Sequence, residues 1–289
     1  MSDNDTNSTI NAKMVDGVMR GKRGLVLGVA NDRSIAWGIS KMLADAGAEL
    51  AFTYQGDALL KRVTPLAEKL GITHILPCDV SKESDIQTVI DTLVADWGKF
   101  DFIVHAVAYS DKEELKGEYI ETSRQNFLTS MDISCYSFTE ICRLARPHLN
   151  DGGSLLTLTY YGAERVMPHY NVMGVAKAAL EASVRYLAND LGPSNIRVNA
   201  ISAGPMKTLA ASGIGDFRAI LRWNELNSPL RRNVNLDDVG GAGLYLLSNL
   251  ASGVTGEVLH VDCGYHTVGM IAVDEAEEIS ALLASVKKD

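Results

Sequence analysis

Short apolar runs alternate with longer amphipathic stretches along most of this chain. The runs are Gly24–Ala30, Glu49–Tyr54, His74–Pro77, Phe100–Ala108, Ser154–Thr159, Ile196–Ser202 and Val258–Val261. Helix-period stretches lie between them, near residues 35–46, 58–70, 82–97, 121–146, 171–191 and 237–248. Short, almost wholly apolar runs are typical of strands buried on both faces of a parallel sheet, and the helices between them make right-handed crossovers. The alternation therefore predicts an α/β fold with a doubly wound, seven-stranded parallel sheet.

This pattern also suggests how the chain is organised. Residues 1–20 are polar and are interpreted as a flexible tail. Residues 21–270 contain neither a linker nor a repeat, and we assign them to a single Rossmann-type domain. A long insertion follows the sixth strand, and we predict that residues 206–233 form a substrate-binding lid over the crevice at the carboxyl ends of the strands. Residues 271–289 are predicted to form a C-terminal helical tail.

Charge and cysteine content exclude several classes of protein. The net charge is −9, with 36 acidic and 27 basic residues, which disfavours nucleic-acid binding. The four cysteines are scattered, and no cysteine or histidine cluster has metal-ligand spacing. No apolar run resembles a secretion signal or reaches the length of a membrane span. We therefore expect a cytoplasmic protein without a bound metal that binds neither nucleic acid nor membrane.

The first strand ends at Gly28, and a helix begins near Ser34. The G-x-G-x-x-G pattern of dinucleotide sites is absent. A strand, a glycine turn and a helix start are nevertheless an arrangement that binds pyrophosphate through backbone N–H groups and the helix dipole. The alternative is that Ser34 is only the N-cap of the helix.

The ends of the second and third strands carry polar side chains, Gln55 and Asp79. The tip of the second strand meets the adenosine ribose in dinucleotide-binding folds, where a basic residue selects the 2′-phosphate of NADPH. No basic residue follows Gln55 before Lys61, so NADH is favoured over NADPH. Alternatively, Gln55 is a solvated turn residue. Asp79 could accept a hydrogen bond from adenine or cap the next helix.

Tyr170 and Lys177 lie at the start of a strongly helical stretch. Seven residues make nearly two turns, so both side chains share one face, about 10 Å apart along the axis. Such a pair is also common on ordinary amphipathic helices. Its place after the fifth strand brings it to the edge of the sheet where substrate and nicotinamide would meet.

Longer motifs surround this pair and carry a family resemblance. They are Ala51–Gln55 (AFTYQ), Tyr160–Arg165 (YYGAER), Asn171–Gly174 (NVMG), Arg197–Pro205 (RVNAISAGP), Thr208–Gly213 (TLAASG) and Gly256–Val258 (GEV). The chain resembles the short-chain dehydrogenase/reductase superfamily, whose members generally use Tyr-x-x-x-Lys, but residue 174 is Gly here. The Tyr-x6-Lys spacing is similar to that of a divergent branch, the bacterial enoyl-acyl-carrier-protein reductases of type II fatty acid synthesis.

The resemblance implies an activity: reduction of the trans-2 double bond of enoyl-acyl-carrier-protein thioesters by NADH, the last step of the fatty acid elongation cycle. It implies that Tyr170 polarises the thioester oxygen and that Lys177 holds the nicotinamide ribose. It also implies that Tyr160 orients the substrate or helps to close the site, with packing against the lid as the alternative. The wider spacing suits conjugate reduction, because hydride goes to Cβ, away from the carbonyl that Tyr170 would bind.

The resemblance also assigns cofactor contacts and an assembly. Gly28, Ser34 and Ile35 match the pyrophosphate turn, Gln55 the ribose contact, Asp79 and Val80 the adenine pocket, and Val107 the end of the fourth strand. Residues of the nicotinamide-side loop are Met206, Lys207, Thr208, Leu209 and Ala210. Acyl carrier protein is the implied partner, and a homotetramer the implied assembly. At Val107–Ser110 (VAYS) the chain departs from the family pattern, and Ser110 is expected to line the acyl pocket, which puts acyl-chain preference in doubt.

Other polar residues have simpler interpretations. His105 and His169 are expected to be structural. Arg218, Arg222, Arg231 and Arg232 form the densest basic cluster, which could dock the acidic carrier protein or be a solvated face of the lid. Two other functions remain open from the residues alone: a carbonyl-reducing short-chain dehydrogenase, which the missing Tyr-x-x-x-Lys disfavours, and a catalytically silent dinucleotide-binding protein.

Overall fold

A computed structural model describes residues 15–208 and 217–270, together with 280, 281 and 284. Its strands form one parallel sheet in the order β3-β2-β1-β4-β5-β6-β7. They are β1 Arg23–Leu27, β2 Glu49–Tyr54, β3 His74–Pro77, β4 Phe100–His105, β5 Leu149–Thr159, β6 Arg197–Ala203 and β7 Val258–Val261. The predicted seven-stranded, doubly wound α/β fold is confirmed.

Helices cover both faces of this sheet. They are α1 Ile35–Asp45, α2 Asp57–Lys69, α3 Glu83–Trp97, α4 Arg124–Met131, α5 Ser137–Ala145, α6 Asn171–Leu191, α7 Phe217–Asn227 and α8 Leu236–Leu247. Alternate residues of a strand point to opposite faces. Accordingly, Val26 packs into the core beneath α1, α2 and α8, whereas its neighbours Leu25 and Leu27 pack into the core beneath α3, α5 and α6.

The strand order reverses between β1 and β4, which are neighbours in the sheet although they are far apart in the chain. Crossovers from these two strands leave to opposite sides, so a crevice opens at their carboxyl ends. The segments after Leu27 and His105 meet there, and Ala106 N–H donates to the carbonyl of Leu27 at 3.1 Å. This is the place where ligands bind in open α/β sheets.

Several strand ends are shifted, most of all the start of β5, which lies at Leu149 instead of Ser154. The structure also differs from the sequence-based interpretation in three larger features. The helix predicted at 121–146 begins at Arg124 and is interrupted by a π-helical turn at Asp132–Tyr136. The long insertion contains helix α7, which the sequence pattern did not predict. Met19 lies within the predicted flexible tail but is fully buried, and its N–H donates to Ala46 O at 2.8 Å, so the packed core begins before residue 21.

Several predictions fall on residues outside those described. Residues 1–14, the loop positions Leu209 and Ala210, and most of the C-terminal tail belong to this group. Within the described residues, no helix combines the length and apolarity needed to cross a membrane.

Candidate active site at the carboxyl ends of the strands

The turn after β1 requires a glycine. Gly28 has φ +100°, in the region that L-residues rarely adopt, and a Cβ there would lie 2.1 Å from the carbonyl oxygen of Ala106. The backbones of the β1–α1 and β4 turns therefore touch at the strand-order reversal. This close approach leaves the start of α1 facing the crevice.

The start of α1 has no side-chain cap. Ser34 occupies the N-cap position, but its hydroxyl donates to Asn31 O at 2.6 Å and accepts from Ala30 N–H at 3.3 Å. Ser34 is thus the N-cap residue, as the alternative interpretation expected, but its oxygen faces the preceding turn and makes no capping hydrogen bond. Among the residues that the structure describes, no side chain accepts from the first N–H groups of α1, as a phosphate-binding helix start requires.

Gln55 and Asp79 lie close together at the tips of β2 and β3. Partial burial would raise the pKa of Asp79, but hydrogen bonds from Ser81 and Gln55 outweigh it and lower the pKa. One carboxylate oxygen of Asp79 accepts from the Ser81 hydroxyl at 2.7 Å and from its N–H at 3.1 Å. Asp79 therefore holds the turn before α3 and is not its N-cap, which is Lys82. Val80 is buried in the core beneath α3.

The rings of Tyr160 and Tyr170 meet edge to face. Their centroids are 5.1 Å apart and their planes are inclined by 75°. Tyr160 directly follows β5, and Tyr170 is the N-cap residue of α6. Burial raises the pKa of Tyr170 well above its usual range, and Tyr160 and Glu181 add to the shift. Both hydroxyls therefore remain protonated at neutral pH, since burial also raises the pKa of Tyr160.

Two glycines allow the turn after Tyr160 to pack against α6. A Cβ on Gly162 would lie 2.4 Å from Cδ1 of Tyr170, and a Cβ on Gly174 would lie 2.7 Å from the carbonyl oxygen of Gly162. Real Cβ atoms do not approach so closely, so a larger residue would displace the Tyr170 ring at position 162 and the backbone at position 174. Position 174 is where a Tyr-x-x-x-Lys motif would place its lysine.

Lys177 lies one helical turn further along α6 and is almost completely buried, with 6% exposure. Its Nζ donates to the carbonyl of Leu158 in β5 at 2.8 Å. Burial lowers the pKa of Lys177 to about 8, while the neighbouring Cys135 and Glu181 act in the opposite direction. The ammonium form is therefore the main species at neutral pH.

A cavity of about 360 Å³ brings most of these residues together. Predicted site residues in its wall are Ile35, Val107, Ser110, Tyr160, Tyr170, Lys177, Met206 and Thr208. Most of the wall is apolar, so the cavity suits an apolar ligand. Ser110 exchanges hydrogen bonds with Asn126 of α4, at 3.2 and 3.3 Å.

A second cavity, of about 570 Å³, shares Pro205 and Met206 with the first. It holds the predicted cofactor residue Lys207, together with Arg33, Arg218 and Arg222. Lys207 therefore lies beside this second space instead of facing the tyrosines.

Most of the arginines and histidines singled out from the sequence have partners, and Arg222 pairs with Glu225 at 3.0 Å. Arg232 binds the carboxylate of Asp238 at 2.6 and 3.0 Å, and Arg231 donates to Leu226 O at 2.6 Å. His105 is fully buried between Ser137 at 2.9 Å and Thr157 at 3.2 Å, and burial lowers its pKa to about 3. His105 is therefore neutral and structural, as expected. His169 precedes Tyr170 with φ 57°.

Two buried residues beside the site were not singled out from the sequence. The Thr159 hydroxyl donates to Glu181 Oε1 at 2.7 Å, and both residues are less than 9% exposed. A glutamate four residues after Lys177, on the buried face of a helix, was the available signal. Among the described residues, no group of three or more histidines, cysteines or carboxylates is arranged to hold a metal ion.

Comparison with known proteins agrees with this geometry. The sequence model of the enoyl-(acyl carrier protein) reductase family matches residues 28–266. Enoyl-[acyl-carrier-protein] reductase [NADH] 1 of Rhizobium meliloti is 67% identical over 92% of this chain and 97% of its own length. A Rickettsia felis enoyl-[acyl-carrier-protein] reductase [NADH] is 55% identical over 89% of this chain and 98% of its own length.

Solved structures give the same answer. The enoyl-acyl-carrier-protein reductase of Anaplasma phagocytophilum, solved in complex with NAD, has a TM-score of 0.87 and 63% identity, covering 89% of this chain and 98% of its own. The Bacillus cereus enoyl-acyl carrier protein reductase, solved with NADP+ and an indole naphthyridinone, has a TM-score of 0.86 and 50% identity, covering 88% and 99%. This chain belongs to the enoyl-(acyl carrier protein) reductase family.

Proposed function

We propose that this protein reduces the trans-2 double bond of enoyl thioesters carried by acyl carrier protein, with NADH as hydride donor, and so completes each cycle of fatty acid elongation. One observation carries the proposal. Tyr160, Tyr170 and Lys177 line one largely apolar cavity at the reversal of strand order, with the lysine one turn beyond the position it takes in carbonyl reductases of this superfamily.

Tyr170 is suited to bind the thioester oxygen. Its hydroxyl stays protonated because burial raises its pKa, so it can donate a hydrogen bond as negative charge develops on that oxygen. A donor held in a water-poor site stabilises such charge without having to reorganise. Tyr160, edge to face with Tyr170, limits where that ring can move and forms part of the wall around the substrate.

Lys177 supplies positive charge at the same site. Its Nζ is held by Leu158 O at 2.8 Å, which directs the ammonium towards the end of β5. We assign it to the nicotinamide ribose hydroxyls. When bound, NADH supplies the hydride that adds to Cβ of the enoyl group.

The crevice fits a dinucleotide. Gly28 and the uncapped start of α1, at Ser34 and Ile35, would hold the pyrophosphate. Gln55 would hold the adenosine ribose, and Asp79 and Val80 the adenine. Val107 and the segment Met206–Thr208, which leads into Leu209 and Ala210, would contact the nicotinamide end of the cofactor. The carboxylate of Asp79 beside Gln55 would repel a 2′-phosphate, which supports NADH over NADPH.

The acyl chain and its carrier would occupy adjacent regions. Ser110 lies in the cavity wall with its hydroxyl bound to Asn126, so it would present a polar atom to part of the acyl chain. Arg218 and Arg222 are exposed on α7 beside the second cavity, and we propose that they contact the acidic carrier protein. A homotetramer in the bacterial cytoplasm is the proposed assembly and location.

Spectroscopic measurement of nicotinamide oxidation tests this function. The protein is mixed with crotonyl-CoA or an enoyl-carrier-protein substrate, first with NADH and then with NADPH, and the loss of reduced cofactor is followed. We expect oxidation with NADH and slower oxidation with NADPH. No oxidation with either cofactor would refute the proposal, and faster turnover of a ketone would favour a carbonyl reductase.

A further inference from the structure

The end of β5 is joined to α6 by hydrogen bonds from two consecutive residues. The carbonyl of Leu158 accepts from Lys177 Nζ at 2.8 Å, and the hydroxyl of Thr159 donates to Glu181 Oε1 at 2.7 Å. Lys177 and Glu181 are four residues apart, so they lie on the same face of the helix, one turn apart. The next residue of the chain is Tyr160.

All three side chains that take part are buried. Thr159 is 5% exposed, Lys177 6% and Glu181 7%. A buried carboxylate requires hydrogen-bond donors or a nearby opposite charge, and a buried ammonium requires the reverse. Burial raises the pKa of Glu181, and the hydrogen bond that Glu181 accepts from Thr159 acts against this shift. Cys135 and Glu181 in turn act against the lowering of the pKa of Lys177 by burial.

We propose that Thr159 and Glu181 form a positioning pair, in which Thr159 holds the end of β5 and therefore Tyr160 in place, while Glu181 supplies the countercharge that keeps Lys177 cationic. Thr159 lies in the wall of the cavity, and the pair acts through Tyr160 and Lys177. The inference rests on the proposed function, because enoyl reduction is the reaction in which those two residues act.

Other titratable groups lie near the pair and influence the pH at which Glu181 titrates. Glu181 is faced by Glu164, which follows the turn after Tyr160, by His260 of β7 and by Arg185 on its own helix. His260 is itself held by Glu164, with Nε2 and Oε1 2.6 Å apart. The negative charge of Glu181 also raises the pKa of Tyr170.

Lys177 has its own set of neighbours. In addition to Glu181, it is faced by Cys135 from the π-helical turn and by His105 from β4. Of these groups, His105 is neutral because its pKa is lowered to about 3. Removing the charge of Glu181 alone should therefore shift the titration of Lys177 downwards.

The first test separates charge from hydrogen bonding. Glu181→Gln keeps an oxygen that can accept from Thr159 but removes the negative charge. NADH affinity is measured by nicotinamide fluorescence across a range of pH values. We expect the pH at which this affinity falls on the alkaline side to be about one unit lower than in the unsubstituted protein. Glu140→Gln is the matched control, because Glu140 is a buried glutamate on α5 whose partner is Arg143, 3.5 Å away, outside the cavity wall.

The second test concerns Thr159. Thr159→Val keeps the shape and removes the hydroxyl, and we expect kcat to fall about tenfold while KM for NADH changes less than about twofold. Thr159→Ser restores the hydroxyl and should recover most of kcat. These two variants test the role of the Thr159 hydroxyl even if Glu181→Gln fails to fold.

Two results would overturn the inference. The first is that NADH affinity falls at the same alkaline pH in Glu181→Gln as in the unsubstituted protein, while kcat of Thr159→Val is also unchanged. The second is a Thr159→Ser protein as slow as Thr159→Val, which would mean that packing and not the hydroxyl matters. If the unsubstituted protein binds NADH but reduces no enoyl thioester, the proposed function fails. The pH dependence of NADH binding, measured by fluorescence, still tests the role of Glu181 in that case.

Discussion

Gly174 of α6 faces the carbonyl oxygen of Gly162, and a Cβ at position 174 would come within 2.7 Å of that oxygen. The turn after Tyr160 is therefore in backbone contact with the helix that carries Tyr170 and Lys177. A lysine four residues after Tyr170 would occupy this contact. The spacing of the pair is thus coupled to the packing of the Tyr160 turn, and the longer gap leaves room for both tyrosines on one side of the cavity.

Gly174→Ala should disturb this contact. The added methyl forces the turn at Gly162 or the helix to move, and overpacking of this kind costs about 1–3 kcal/mol of unfolding free energy. We expect a lower melting temperature and a lower kcat, because Tyr170 moves with the turn. Gly192→Ala, at the end of the same helix, is the control, since no atom lies within 4 Å of a Cβ there. Equal effects of the two substitutions would show that the contact has no special role.

Tyr170→Phe should affect turnover and leave cofactor binding unchanged. The substitution removes the proposed donor to the thioester oxygen, and loss of such a donor lowers kcat by about 100- to 1000-fold. NADH affinity, measured by fluorescence titration, should stay the same. Tyr186→Phe, which removes an exposed hydroxyl on the same helix, should behave like the unsubstituted protein. A Tyr170→Phe enzyme with normal kcat would exclude this residue as the donor.

NADH binding should weaken as the pH rises through about 8. The pKa of Lys177 is lowered to about 8 by burial, so the charged form, which we propose binds the ribose, is present below this pH and is lost above it. We expect an alkaline limb near pH 8 in kcat/KM for NADH, which reports the free enzyme. Lys177→Ala should weaken NADH binding about tenfold or more and abolish the limb. If kcat/KM for NADH still fell near pH 8 in Lys177→Ala, a group other than Lys177 would be responsible for this pH dependence.

Charge reversal at Arg218 and Arg222 should act on the carrier protein alone. We expect the double substitution to glutamate to raise KM for an enoyl-carrier-protein substrate about tenfold at low salt, with a smaller effect at high salt. Turnover of crotonyl-CoA at saturating concentration should hold, which shows that the site is intact. The control is Arg143→Glu on α5, whose partner is Glu83 at 2.6 Å. An unchanged KM for the carrier-protein substrate would rule out docking at this surface.

The sequence was informative wherever a local pattern decides the structure. Short apolar runs predicted the strands because a strand buried on both faces must be apolar along its length. The turn at Gly28 was also recognised from local order, as a strand ending in glycine before a helix. Helical spacing placed Tyr170 and Lys177 on one face of a helix, and their position after the fifth strand together with the family resemblance singled them out as a pair.

Contacts that depend on tertiary packing were not foreseen. The orientation of the Ser34 hydroxyl, towards Asn31 and away from α1, depends on how the turn folds back. The contact between Gly162 and Gly174 joins two segments, and the hydrophobic pattern of the sequence does not predict how these segments pack against each other. The Thr159–Glu181 hydrogen bond belongs to the same class, since it forms only when β5 packs against α6. The pairing of Arg232 with Asp238 and that of Arg222 with Glu225 were likewise not foreseen.

The central claim, that this site performs conjugate reduction, is tested most directly by following the hydride. NADH deuterated at both C4 positions is incubated with a trans-2-enoyl thioester, and the saturated acyl product is examined by mass spectrometry and NMR. The account predicts one deuterium at Cβ of the acyl chain, with the hydrogen added at Cα coming from solvent. A product without deuterium at Cβ, or with deuterium on the carbonyl carbon, would contradict it.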